Sequence, residues 1–305
     1  MACRDIMNNN KQLVIAHLSD LHLTASDDLS RSHPRILGTI KGMNEAFRKI
    51  VGSDAIREAD LIIITGDITD RGDMESWKLF WQIIKDAGLS DRVLVVPGNH
   101  DVCCFGARKS FRKKTHRKTD LEKALSGLKI GNHEAKFPWA RVFDKRVVVF
   151  GLNSNNLGNF TVFSNSMGRI GHDQLLSFAE RLYEYRDIPV KLVVLHHCPN
   201  ITKKTIFREQ TRKLVGRLAR VWLHIPKSQR RTLQLLCLSH GVKVIAHGHS
   251  HKAQAHIVNG VCIVGAPPTT EPISAINGKN VYQFYTYTIC DRNSLVDTNL
   301  RTIQV

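Results

Sequence analysis

Short apolar runs rich in Val and Ile recur along the chain and set the strongest limit on its fold: LVIAHL (13–18), LIIIT (61–65), VLVV (93–96), RVVVF (146–150), KLVVL (191–195), VKVIA (242–246), VCIVG (261–265) and VYQFYTYTI (281–289). The earlier runs are nearly continuous in apolar residues, as strands covered on both faces must be. Between them lie segments with helical spacing, near 35–52, 74–88, 172–186, 205–223 and 227–240. Strands that alternate with helices predict an α/β architecture with layers of helix over sheet.

The length of 305 residues and the absence of a Pro/Ser-rich linker or an internal repeat predict one domain over 1–305. Hydrophobic residues make up 42% of the chain, which excludes a disordered protein. No apolar run approaches the ~18–20 residues of a membrane span. The first residues, MACRDIMNNNKQ, lack the apolar middle of a signal peptide. Seven cysteines without a C-x-x-C pair predict reduced thiols and a cytoplasmic location.

Five of the apolar runs end in polar residues of one chemical kind. They deliver Ser19-Asp20-Leu21-His22, Gly66-Asp67, Gly98-Asn99-His100-Asp101, His196-His197 and His247-Gly248-His249-Ser250-His251. In open α/β sheets, sites gather beyond the carboxyl ends of strands. Any one of these stretches alone is ordinary turn or capping chemistry. Five together, all carrying carboxylate, amide oxygen or imidazole, predict a site for borderline divalent ions such as Mn, Fe, Co, Ni or Zn. The lack of cysteine among them argues against structural zinc. The glycines beside Asp67, Asn99 and His249 are expected to let the backbone turn sharply so that each ligand can project.

The order D-x-H, G-D, G-N-H-D, H, G-H-x-H between residues 20 and 251 resembles the calcineurin-like metallophosphoesterases. The resemblance implies an α/β fold of two facing mixed β-sheets flanked by helices, with two divalent metal ions at one edge: Mn, Fe or Zn, with Mn or Fe favoured. It implies Asp20, His22 and His251 on the first metal, Asn99, His196 and His249 on the second, and Asp67 bridging both. His197 is the alternative to His196 within that pair, and His247 lies outside the G-H-x-H block. Two ions ~3.5–4 Å apart clamp a phosphate and generate a bridging hydroxide at neutral pH. His100 is placed to stabilise developing charge or protonate the leaving group, and Asp101 is expected to orient His100.

Block spacing, the His-His pair and a hairpin after G-H-x-H resemble the class III cyclic-nucleotide phosphodiesterase branch, implying an enzyme that hydrolyses an anionic phosphodiester. Of the net charge of +17, all but one unit sits in two segments expected to be insertions. Residues 108–136 hold ten Lys/Arg and three Asp/Glu, and residues 203–231 hold ten Lys/Arg and one Glu. Within the second, Phe207, Leu214, Leu218, Val221 and Trp222 share a face at helical spacing. Such a face either packs on the domain or, as a basic amphipathic helix, lies on an anionic membrane surface or caps a lipid-binding cleft. It keeps open a branch that cleaves UDP-2,3-diacylglucosamine at the inner membrane face, and a peripheral location there. A nuclease would use the same charge as a phosphate track, but no recognition helix or aromatic RNA motif supports a nucleic-acid partner. A non-catalytic scaffold would be expected to lack some of these ligands, and none is lost.

Overall fold

A computed structural model of the chain describes residues 12–31, 40–102, 125, 136–155, 167–199, 225–290 and 295–305. The predicted helix at 205–223 and most of both basic segments lie outside the described residues.

Among the described residues the strands form two six-stranded sheets. In the first, β1 (Leu13–Leu18), β2 (Leu61–Ile64) and β3 (Val93–Val95) run parallel. On the other side of β1, the long β11 (Lys279–Cys290) pairs antiparallel, and it also holds β10 (Ser274–Ile276) and β12 (Leu295–Gln304). In the second sheet, β5 (Val147–Gly151), β6 (Val190–Val194), β7 (Val244–His247) and β9 (Val261–Gly265) are parallel. Antiparallel β4 (Trp139–Phe143) and β8 (Gln254–Val258) form its edges. Both sheets are therefore mixed.

The pleat explains the layers, since successive side chains on a strand point to opposite faces. Val147, Val149, Leu192, Val194, Val244 and Ala246 join the core that includes β1–β3. Their neighbours Val148, Phe150, Val193 and Ile245 pack outward, with α5 (His172–Glu184) and α6 (Lys227–Ser239), on Leu175, Phe178, Leu182, Leu233 and Cys237. α1 (Met43–Val51) and α3 (Met74–Asp86) bury Phe47, Ile50, Trp77 and Phe80 in the core of the first sheet. Asp73 caps α3, its carboxylate accepting from the Ser76 N–H at 2.8 Å. Two further short helices among the described residues are α2 (Asp54–Arg57) and α4 (Asn99–Val102).

All five polar strand ends found in the sequence follow parallel strands: β1, β2 and β3 in one sheet, β6 and β7 in the other. The parallel direction sends each set to one edge. The two edges meet where the Thr65 carbonyl faces His196 Nδ1 at 2.7 Å and the Asp20 carboxylate accepts from His249 N–H at 3.1 Å.

Candidate metal centre

Most of the residues gathered at the meeting edges are fully buried: Asp20, His22 and His196 are 0% exposed, Asp67 is 2% and Asn99 is 3%. His249 and His251 are partly covered. Two clusters form. Asp20, His22 and His251 make one, with Asp20 Oδ1 3.3 Å from His251 Nε2. Asp67, His196 and His249 make the other, and His196 Nε2 lies 3.1 Å from both Asn99 Oδ1 and His249 Nδ1. Asp67 lies between them, its Oδ2 3.8 Å from His22 Nε2 and 3.4 Å from His196 Nε2.

The backbone at these residues is unusual. Asp20, His22, Asp67, His249 and His251 all have φ between 47° and 64°, the left-handed region that side chains other than Gly rarely enter. Such strain persists only where the surroundings over-determine it, and it collects at functional sites. Here the surroundings are a lattice of hydrogen bonds. Asp20 N–H donates to Gly66 O at 3.0 Å, His22 N–H to Asp67 O at 2.9 Å, and His100 N–H to Asp67 Oδ1 at 2.8 Å. The expectation that the neighbouring glycines supply the turn holds for Gly66, at φ 90°. At Gly98 and Gly248 the reason is room. A Cβ on Gly98 would stand 2.2 Å from Asp67 N, and one on Gly248 1.9 Å from Ser19 Oγ.

Electrostatics follow from burial opposed by partners. Burial pushes the Asp20 carboxyl up, but the imidazoles of His251 and His196 outweigh it and hold it at about 2. Burial also works against the charge on Asp67, yet His196, His100 and His22 bring it well below the usual carboxylate range. His196 is pulled down by burial and raised further by Asp67 and Asp20, to about 9. In the metal-free chain the pair is thus an imidazolium against a carboxylate. Burial and the neighbouring His196 drive His249 down to about 3, and burial with Arg31 and His100 lowers His22 well below its ordinary value.

The pair at 196–197 is divided by its partners. The Thr65 carbonyl can only accept, so His196 Nδ1 carries the hydrogen and Nε2 faces the clusters. His197 Nδ1 instead meets Ser154 Oγ at 2.9 Å, and the same hydroxyl oxygen accepts from the N–H groups of both histidines. His247 is fully buried, with Nδ1 on the Gly248 carbonyl.

His100 and Asp101 correct one expectation. The Asp101 carboxylate accepts from Gly98 N–H, Ile68 N–H, Thr69 N–H and Thr69 Oγ1–H, at 2.8–3.2 Å, so it ties the loop after β2 to the loop after β3. The His100 ring is oriented by Asp70, whose carbonyl accepts from Nδ1–H at 2.9 Å. The two residues follow one another on α4, and adjacent helical residues do not face each other. Burial and the nearby Asp67 push the Asp101 carboxyl up to about 6, while its donors oppose the shift.

Several residues of the centre lie outside the five sequence blocks: Asp70, Ser154, Asn155, Thr269, Arg31 and Glu271. Asn155 donates to the Pro97 carbonyl across the sheets at 2.8 Å, and Thr269 Oγ1 accepts from Ser19 N–H at 2.9 Å. Arg31 Nη2 reaches His22 Nε2 at 2.7 Å, and its Nη1 donates to Glu271.

Comparison with known proteins decides the family. The family model for calcineurin-like phosphoesterase matches residues 13–253. The chain belongs to the calcineurin-like phosphoesterases. It is accordingly a metal-dependent phosphoester hydrolase, of a family that uses divalent metals. It is 23% identical to a probable glycerophosphodiester phosphodiesterase of Arcobacter nitrofigilis, over 86% of this chain and 80% of that one. It is 24% identical to a probable cyclic nucleotide phosphodiesterase of Coxiella burnetii, over 84% and 82%. The fold resembles that of a dimetal phosphatase from Danio rerio, with a TM-score of 0.56 at 11% identity, covering 96% of this chain and 98% of that one. Among the described residues, no helix is long and apolar enough to cross a membrane.

Proposed function

We propose that this phosphoesterase hydrolyses a phosphodiester at a two-ion centre. Asp20, His22 and His251 would hold one divalent ion, Asn99, His196 and His249 the other, and Asp67 would reach both. The observation that carries the reading is the position of Asp67 Oδ2, within 4 Å of an imidazole nitrogen on each side. The donor set fits: carboxylate, amide oxygen and imidazole suit Mn or Fe ahead of softer choices. Among the described residues the buried His249 Nε2 has no hydrogen-bond partner, an arrangement that costs free energy. Divalent ions bound there would clamp phosphate oxygens and make a water acidic enough to attack at neutral pH.

The chain's own residues supply the rest. Hydrogen bonds to Thr65 and Asp70 fix the tautomers of His196 and His100, so each presents Nε2 to the centre. From there His100, as the imidazolium with Nε2 also protonated, would donate a hydrogen bond to charge developing on phosphorus, or that Nε2 proton to the leaving oxygen. Asp101, by holding two loops together, keeps Asp67 and Asn99 in register. The names of the relatives favour a diester, with a cyclic nucleotide or a glycerophosphodiester as the class.

The test is elemental analysis of the purified protein together with a substrate panel: an aryl diester, an aryl monoester, 2′,3′- and 3′,5′-cyclic nucleotides and a glycerophosphodiester. Two ions per chain and faster turnover of diesters are expected. A single ion at saturation, or a preference for the monoester, would overturn the proposal.

A further inference from the structure

Arg31 belongs to none of the five sequence blocks, yet its side chain is only 3% exposed and its guanidinium enters the centre. Nη1 donates to the Glu271 carboxylate, while Nη2 stands 2.7 Å from His22 Nε2 and 3.4 Å from His251 Nε2. Glu271 also approaches His251 Nδ1 at 3.6 Å. The two partners arrive from opposite ends of the chain, Arg31 from the loop after β1 and Glu271 from the loop after β9, and both loops are fixed nearby. Thr269 accepts from Ser19 N–H, and Thr270 Oγ1–H donates to the Leu21 carbonyl at 2.7 Å.

A guanidinium is a permanent cation with a rigid fork of donors. Its burial is unfavourable unless anions face it, and here Asp20, Asp67 and Asp70 do so in part. A site that collects metal cations gains nothing from a further buried cation unless that cation serves an anion. The anion that a phosphoesterase must bring to this place is its substrate's phosphate.

We infer that Arg31 anchors the substrate phosphate on the His22–His251 side of the centre, and that Glu271 aims the guanidinium; the inference rests on the two-ion reading. An ion held by His22 and His251 needs the Nε2 atoms that Nη2 touches, so ion and guanidinium compete for those nitrogens. With those nitrogens taken by an ion, Arg31 would keep Glu271 and turn its remaining donors to the incoming phosphate. Arg31 is then a binding residue, and Glu271 a positioning residue that acts through it.

Two measurements on the full chain test this: calorimetric titration of inorganic phosphate into Mn-loaded protein, and Mn binding to the metal-free protein. Loss of a charge-assisted hydrogen bond should weaken phosphate binding about 10–100-fold in Arg31→Met. KM for a small aryl diester should rise by a similar factor, with a smaller change in kcat. Mn binding should be as tight as in wild type or tighter, because a competitor has been removed. Glu271→Gln should move phosphate affinity the same way, by about 3–10-fold, and it carries the test if Arg31→Met does not fold. Unchanged phosphate affinity in a variant that still binds two Mn ions would overturn the inference alone. Weaker Mn binding in Arg31→Met would also overturn it, by making Arg31 a structural part of the ion site. A wild-type chain that binds fewer than two Mn ions would overturn the two-ion reading as well.

Discussion

Asp67 Oδ2 and His196 Nε2 stand 3.4 Å apart, one presented by the first sheet beyond β2 and the other by the second beyond β6. The carboxylate holds its charge because the imidazole faces it, and the imidazole holds a proton for the same reason. Each is the other's counter-ion in the metal-free chain.

Replacing Asp67 should therefore remove both ions' common ligand. Asp67→Ala is expected to lose about 10²–10³-fold or more in turnover, the scale of a lost electrostatic partner in a water-poor site. Metal content by mass spectrometry should fall with it. Full activity with full metal would end the two-ion proposal.

His100→Ala should behave differently, because His100 is outside the proposed ligand set. Most of the metal should remain, and turnover should drop about 10²–10³-fold. The loss should shrink for nitrophenyl leaving groups, which need no proton. An equal loss for aryl and alkyl diesters would leave only charge stabilisation to His100.

Gly248→Ala tests the close approach of the two edges. The added Cβ would meet Ser19 Oγ at 1.9 Å and Asp20 Oδ2 at 2.6 Å. Overpacking of this kind costs about 1–3 kcal/mol. Ser19→Ala in the same chain should restore part of it, a coupling that a double-mutant cycle in denaturant reads directly. Additive losses would mean that the contact is relieved elsewhere.

Acid should weaken the fold through His17. Its ring is fully buried between the Tyr287 hydroxyl, 2.7 Å from Nδ1, and Thr65 Oγ1, 2.9 Å from Nε2. Burial, with His247 nearby, lowers it to about 3, so the folded chain keeps it neutral. The unfolded chain protonates it near 6.5. Below that value the unfolded state binds more protons, so the contribution of His17 is complete above pH 6.5 and falls as pH drops towards 3. By pH 5 the loss is about 2 kcal/mol. Denaturant titrations at pH 7 and pH 5 should show a smaller difference for His17→Gln than for wild type; an equal difference would assign the acid sensitivity to other groups.

The sequence carried the centre well because metal chemistry admits few residue types, and parallel strands expose them in blocks at their carboxyl ends. The strands predicted at 13–18, 61–65, 93–96 and 261–265 match β1, β2, β3 and β9 to within a residue. β4, β10 and β12 were not legible: WARVF, SAI and LVDTNLRTIQ mix polar and apolar residues, as strands at or near a sheet edge can. Arg31, Glu271, Ser154 and Thr269 were invisible for another reason. They are ordinary loop residues, and only the folded chain brings Arg31 to a residue 240 positions away. Adjacency to His100 does not reveal the role of Asp101, whose carboxylate is taken up by the backbone of two loops.

With the proposed ligand set, the division of the centre between the sheets would make metal a fastener as well as a reagent. Asp20, His22, Asp67 and Asn99 follow strands of one sheet, and His196, His249 and His251 strands of the other, so neither set alone would offer an ion its full shell. By linkage, each ion that binds only the folded chain adds about 2.7 kcal/mol when supplied at a hundred times its dissociation constant. Thermal tolerance should thus follow the supply of free metal, and starvation for metal would loosen the seam between the sheets before it affected either sheet by itself.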